Sequence, residues 1–251
     1  MTPEPRVRCV DLSVGHEGDA IMSGVTFSVG PGQIAAIVGP SGCGKSTLMR
    51  ALVGLLSPLS GEAWLLGTRI DQAEESVREV LLRRAGFLFQ GSALWSSLTV
   101  RENVELPLRE FSPCGARERR LLAEHRLAQV GLLAAADKLP SELSGGMAKR
   151  AALARALALD PEVLFLDEPS AGLDPVTAGR LDDLILRLRD TLGTTVVLVS
   201  HEILSIRRLA DFCVYLDAET HRMGPVGRID AFLTPDAPPG ARAFFSPGQR
   251  P

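Results

Sequence analysis

Three stretches of this chain have residue types and spacing suited to polyphosphate chemistry. The first is Gly39-Pro40-Ser41-Gly42-Cys43-Gly44-Lys45-Ser46-Thr47, a glycine-rich turn between the apolar run 34–38 and the helical pattern Leu48, Leu52, Val53. A polyphosphate must be wrapped by bare backbone N–H groups, and glycines let the backbone come that close. A helix starting at the end of the turn aims its unpaired N–H groups and positive dipole end at the same phosphates. Lys45 is then placed to reach the β and γ phosphates, and Ser46 to offer its hydroxyl to magnesium. The second stretch is Val163-Leu164-Phe165-Leu166-Asp167-Glu168, an apolar run that empties into two carboxylates. Asp167 suits magnesium, and Glu168 suits orienting and deprotonating a water that attacks the γ phosphate. The third is Leu143-Ser144-Gly145-Gly146-Met147, where a serine and glycines precede a helix and make a second anion site.

Two strand ends add single residues. The run Gly86-Phe87-Leu88-Phe89 delivers Gln90, a candidate contact for magnesium and the attacking water, and the β-branched run 194–200 presents His201 at its tip. His16, in Gly15-His16-Glu17-Gly18-Asp19, is a candidate to stack on a nucleotide base.

The elements that must position these residues follow from periodicity. Alternation at Val10, Leu12 and Val14 and at Val25, Phe27 and Val29 predicts antiparallel strands with one solvated face. The continuous apolar runs 34–38 and 163–166 predict buried parallel strands. Leucine, alanine and arginine at helical spacing from about 94 to 159 predict a helical insertion, closed by a helix over 148–159 with Lys149, Arg150 and Arg155 mainly on its polar side. Leu181, Leu184, Ile185, Leu188 and Leu192 form the apolar stripe of a helix that Gly193 ends. Residues 224–232 read as a closing turn and short helix, and 234–251, dense in proline and glycine, as irregular. The fold class is α/β: a mainly parallel core sheet, an N-terminal antiparallel part and an inserted helical subdomain. The expected divisions are a core of 1–93 and 156–232, a helical subdomain of 94–155 and a tail of 233–251.

The totals narrow the classes further. A chain of 251 residues with 45% hydrophobic and 23% charged residues is ordinary for a globular protein. A net charge of -3, with no lysine or arginine block, argues against a nucleic-acid partner. Cys9, Cys43, Cys114 and Cys213 lie far apart, without metal spacing. Cys43, at a helix start beside a lysine, has the setting of a thiol with lowered pKa, although its role reads as filler in the loop. No signal-peptide pattern and no run of the ~18 apolar residues needed to cross a bilayer is present, so membrane work would pass through a partner.

In that order, the motifs resemble the nucleotide-binding subunit of an ATP-binding cassette (ABC) transporter over residues 7 to about 232. The resemblance makes 39–47 the Walker A loop, Gln90 the Q-loop glutamine, 143–147 the signature, 163–167 the Walker B strand, Glu168 the catalytic carboxylate, Asp174 the centre of the D-loop and His201 the switch histidine. It implies ATP and Mg²⁺, with Ser46, Gln90 and Asp167 as metal ligands. It also implies a head-to-tail homodimer in which each ATP lies between one Walker A loop and Ser144, Gly145 and Gly146 of the other copy. Integral membrane permease subunits are a further implied partner, reached through a groove lined by Trp95 and Leu98; the competing reading makes Trp95 subdomain core. Met147, His16 and Glu202 stand where most members have glutamine, an aromatic residue and aspartate.

The segments 140–156 and 88–94 look like one branch, the maintenance-of-lipid-asymmetry or Mce-linked phospholipid carriers, also described as organic-solvent-resistance systems. That branch implies phospholipid as cargo, a lipid-binding Mce-type protein and a small accessory protein as partners, and a peripheral place on the cytoplasmic face of the inner membrane. The alternatives are an ABC transporter with another substrate and a soluble ABC ATPase that remodels a macromolecular complex.

Overall fold

The computed structural model describes residues 3–246. In chain order the strands are β1 (Val7–His16), β2 (Asp19–Val29), β3 (Ile34–Val38), β4 (Ser60–Leu65), β5 (Thr68–Arg69), β6 (Ala85–Leu88), β7 (Val163–Asp167), β8 (Thr195–Val199), β9 (Phe212–Asp217) and β10 (Arg222–Gly227). The helices are α1 (Lys45–Leu52), α2 (Glu75–Arg83), α3 (Val100–Phe111), α4 (Ala116–Gln129), α5 (Gly145–Ala156), α6 (Pro175–Leu192), α7 (Ile203–Leu209) and α8 (Pro239–Phe245). The chain folds as two units: residues up to Leu81 together with those from Thr195 onward, and Leu82–Thr194. This is the expected α/β class, with parallel core strands, an antiparallel N-terminal part and a helical insertion.

In the first unit the strands lie in the order β5-β4-β1-β2-β10-β9-β3-β8. β3 runs parallel to both β8 and β9, and all five of its residues are buried, as a strand covered on both faces requires. β1 pairs antiparallel with β2 and β4, with register breaks. The hairpin between β1 and β2 is tighter than the sequence suggests. Glu17 and Gly18, at φ 53 and 92, form a two-residue turn, which leaves exposed His16 in the last pair, opposite Asp19.

The C-terminal part corrects two expectations. Residues 222–227 form β10, antiparallel to β9, where Gly224 and Pro225 suggest a turn; the sheet absorbs them as an irregularity between Met223 and Val226. The tail read as irregular contains α8. Its Phe245 is buried and meets the buried ring of Phe232 with centroids 4.8 Å apart. Two aromatic side chains removed from water explain why a proline- and glycine-dense segment is ordered. Residues 247–251 of that tail lie outside the described residues.

In the second unit β6 pairs parallel with β7, and α3, α4 and α5 supply the helical insertion. The entry to α3 is built around Asn103, which has no exposed surface. Its Oδ1 accepts from the Trp95 N–H at 2.8 Å, and its Nδ2 donates to the carbonyls of Trp95, Leu98 and Thr99 at 3.0–3.1 Å. The same site carries a capping box between Thr99 and Glu102. The Trp95 side chain is 58% exposed, which excludes it from the subdomain core.

Candidate functional site

The loop after β3 is held open by backbone geometry. Gly39 has φ 150, and a Cβ there would stand 2.4 Å from the Leu216 carbonyl oxygen and 2.9 Å from Cys43 Sγ, so a side chain has no room. α1 begins at Lys45 behind Gly44 at φ 95, with no side-chain cap and no acidic residue in its first turn. Its first N–H groups thus have no anionic competitor within the helix, and the dipole end is free to favour an anion. Lys45 is buried, and its Nζ donates to the carbonyls of Gly39 at 2.9 Å and Pro40 at 2.7 Å. A phosphate oxygen is the stronger acceptor for that ammonium. Ser46 and Thr47 are half-buried on the first turn of α1, while Pro40, Ser41 and Gly42 are exposed.

Cys43 fits the reading as filler in the loop and corrects that of a lowered pKa. Burial of its side chain outweighs the nearby Lys45 ammonium, and the thiol is pushed above its ordinary pKa. It is a packed wall of the loop, 2% exposed. In the same unit, β8 delivers His201 to the surface, with Nε2 3.7 Å from the Glu202 carboxylate.

In the second unit β7 ends as the sequence predicts, with four buried apolar residues followed by half-buried Asp167 and buried Glu168. Glu168 has φ 50, a left-handed backbone that costs a non-glycine residue about 1–3 kcal/mol and persists only where surrounding structure fixes it. Gln90, after β6, presents an exposed side chain, and Ser92 and Ala93 beyond it are also left-handed, at φ 61 and 48.

The signature helix departs from the sequence reading in two ways. α5 starts at Gly145 rather than at 148, because Ser144 caps it: its Oγ accepts from the Met147 N–H at 3.3 Å. Glycine's poor helix propensity hides that start in the sequence. Gly146 is needed for close approach, since a Cβ there would lie 2.6 Å from Thr177 Cγ2 on α6. Asp174 caps α6, its Oδ1 accepting from the N–H groups of Val176 and Thr177 at 3.1 and 3.0 Å. The Thr177 hydrogen bonds lead in holding its carboxyl below the usual range. A cavity of about 570 Å³ opens at the start of α5, with Ser144, Gly146 and the guanidinium-bearing Arg150, Arg180 and Arg187 in its wall. An anion suits it.

The second departure is Lys149, which is 6% exposed rather than on a solvated face. Its Nζ donates to the Gln90 carbonyl at 2.6 Å and the Glu168 carbonyl at 3.1 Å. Desolvation pulls its pKa down, opposed first by the Glu168 carboxylate and then by that of Asp167. Farther along α5, Arg155 donates to the carbonyls of Ser92 and Ala93 at 3.0 and 2.6 Å. One signal for these contacts was in the sequence. Ala151-Ala152-Leu153-Ala154 are buried in succession, so the middle of α5 has no solvent face and its cations must find acceptors.

Each unit holds part of the residues the motifs single out. The first holds the 39–47 loop, His16 and His201; the second holds Gln90, the 143–147 turn, Asp167, Glu168 and Asp174. No helix among the described residues is long and apolar enough to cross a membrane.

Comparison with known proteins agrees with these features. The family model for ABC transporters matches residues 22–171. The intermembrane phospholipid transport system ATP-binding protein MlaF of Escherichia coli K12 is 42% identical over 201 residues, covering 80% of this chain and 75% of that protein. The methionine import ATP-binding protein MetN 1 of Rhodococcus jostii is 43% identical over 213 residues, covering 84% of this chain and 63% of that protein. Among solved structures, the dimeric post-hydrolysis state of the ATP-binding cassette MJ0796, bound to ADP and Pi, superposes with a TM-score of 0.80 at 30% identity, covering 88% of this chain and 98% of that one.

Proposed function

Since the chain belongs to the ABC transporter family, an ATP hydrolase that powers transport, we propose that it drives a phospholipid-moving membrane complex through ATP-driven closure of a homodimer. One observation carries the dimer: a single chain has two helix starts suited to phosphate, the uncapped start of α1 and the cavity-facing start of α5. The solved cassette at TM-score 0.80 is dimeric, which supports assigning the second start to the nucleotide of another copy.

In this reading the 39–47 loop amides and Lys45 bind the triphosphate of ATP, and His16 lies at the base. Ser144, Gly145 and Gly146 of the second copy close on the γ phosphate, and Asp174 sets the start of α6 against that glycine turn. Glu168 accepts a proton from the attacking water, and His201 and Gln90 contact the γ phosphate and the water. Ser46, Asp167 and the Gln90 amide are hard oxygen donors, the chemistry that suits magnesium held by a few protein oxygens together with phosphates. Magnesium, when bound, neutralises phosphate charge; the residues named here bind, orient and move the proton.

The phospholipid assignment rests on the likeness to MlaF and on the 140–156 and 88–94 segments. With it go integral permease subunits, an Mce-type lipid-binding protein, a small accessory protein and a peripheral position on the cytoplasmic face of the inner membrane. The methionine importer relative, at 43% identity, defines the rival cargo class. In vesicles carrying the complex with its permease, ATP is expected to move labelled phospholipid and leave labelled methionine behind; methionine movement alone would reverse the assignment.

Exposed Trp95 is the contact proposed for the permease. Trp95→Ser is expected to change folding stability by no more than about 0.5 kcal/mol, as for surface positions, and to leave ATP hydrolysis by the chain in place while transport by the complex falls. Unfolding of the variant in thermal melts would return Trp95 to a structural role.

A further inference from the structure

Lysine is rarely buried unless its ammonium meets good acceptors. Lys149 is buried on α5 and spends two of its three donors on backbone carbonyls from distant parts of the chain, those of Gln90 and Glu168. Both carbonyls belong to residues that the proposed function places at the γ phosphate. The Glu168 peptide, at φ 50, has a conformation that surrounding contacts must hold, and its carbonyl accepts from the Ala171 N–H at 3.2 Å as well as from Lys149. The backbone angle that points the carbonyl at Lys149 also sets where the Glu168 side chain leaves the chain. α5 begins, a little over one turn earlier, at the Ser144 cap. A single rigid helix therefore carries the turn that meets another copy's nucleotide and the ammonium that holds two segments of its own copy.

We propose that Lys149 is a positioning residue for hydrolysis, fixing the Glu168 and Gln90 peptides to the signature helix so that the carboxylate keeps its reactive placement. The inference rests on the reading of Glu168 as the group that acts on water. Arg155 holds the next carbonyls, Ser92 and Ala93, from the same helix, but it does not touch Glu168 in this way. Lys149 thus joins the signature helix directly to the Glu168 peptide.

The test compares Lys149→Met, Lys149→Arg and Lys149→Gln with the unaltered full chain, measuring kcat, KM for ATP, equilibrium binding of an ATP analogue and thermal stability. Misplacement of a reacting group by about 1 Å costs on the order of 10²-fold. The methionine variant is therefore expected to lose about 10- to 100-fold in kcat per ATP-binding site, with KM within a few fold. Arginine, which can donate to both carbonyls, is expected to recover most of the loss, and glutamine less. Wild-type kcat in Lys149→Met, or a loss that disappears once activity is counted per ATP-binding site, overturns the proposal. If the methionine variant does not fold, kcat falling in the order wild type, arginine, glutamine at equal ATP binding supports it, and equal kcat in all three overturns it. Glu168→Gln is run beside them. Wild-type turnover in Glu168→Gln removes the underlying reading, whereas an inactive Glu168→Gln beside a fully active Lys149→Met removes only the inference about Lys149.

Discussion

Replacing Glu168 by glutamine is expected to lower ATP turnover on the order of 10²- to 10⁴-fold, the contribution of a positioned proton acceptor, and to leave ATP binding in place. The substitution keeps side-chain volume at a residue that is 7% exposed, so no cavity accompanies it. It replaces the basic carboxylate by a neutral amide that cannot accept the proton. Binding survives because the residues proposed to hold the triphosphate, the 39–47 amides and Lys45, belong to the other folded unit. Phosphate release under single-turnover conditions separates the two effects. Turnover equal to the unaltered chain would show that another group accepts the proton.

Replacing Lys45 by methionine acts on the earlier step. Its ammonium is satisfied by the Gly39 and Pro40 carbonyls, and phosphate oxygens are stronger acceptors because they are charged. A hydrogen bond to a charged group contributes about 1.5–3 kcal/mol, which corresponds to roughly 10- to 150-fold in Kd for ATP. Loss of one preorganised donor to the developing charge adds on the order of 10²- to 10³-fold in turnover. Titration with a fluorescent ATP analogue reads the first effect and steady-state hydrolysis the second. The pairing of outcomes distinguishes the two sites: Lys45→Met is expected to bind ATP poorly, and Glu168→Gln to bind it well without consuming it.

Much of this arrangement was legible because burial and chemistry coincide in the sequence. The runs 34–38 and 163–166 are continuous and apolar, and the structure buries every residue of both; each is followed by the polar residues that the motifs require. The antiparallel start was plain from alternation at Leu12 and Val14, but Val10 is off their buried face, because a bulge at left-handed Asp11 shifts the phase from Val7 and Cys9. What was not legible depended on partners distant in sequence. Lys149 beside Arg150 looks like the polar face of a helix until the Gln90 and Glu168 carbonyls are brought to it. The Cys43 thiol looked activated because a lysine and a helix start are local, whereas the burial that raises its pKa comes from tertiary packing. Gly145 and Gly146 read as loop because intrinsic propensity disfavours them in a helix, and only the Ser144 cap and the nearby Thr177 explain them. The order of 239–245 was hidden for a similar reason, since Phe232 lies outside the tail that it pins.

In the proposed dimer one chain supplies half of each hydrolytic site and a second copy supplies the other half. The solution mass of Glu168→Gln, measured with ATP and magnesium, with ADP, and without nucleotide, tests it most directly. Expected are twice the mass of one chain with ATP, a single-chain mass with ADP or no nucleotide, and a single-chain mass with ATP once Ser144→Arg is added to block the signature turn. A single-chain mass for Glu168→Gln at saturating ATP, or a doubled mass that Ser144→Arg leaves unchanged, would contradict it.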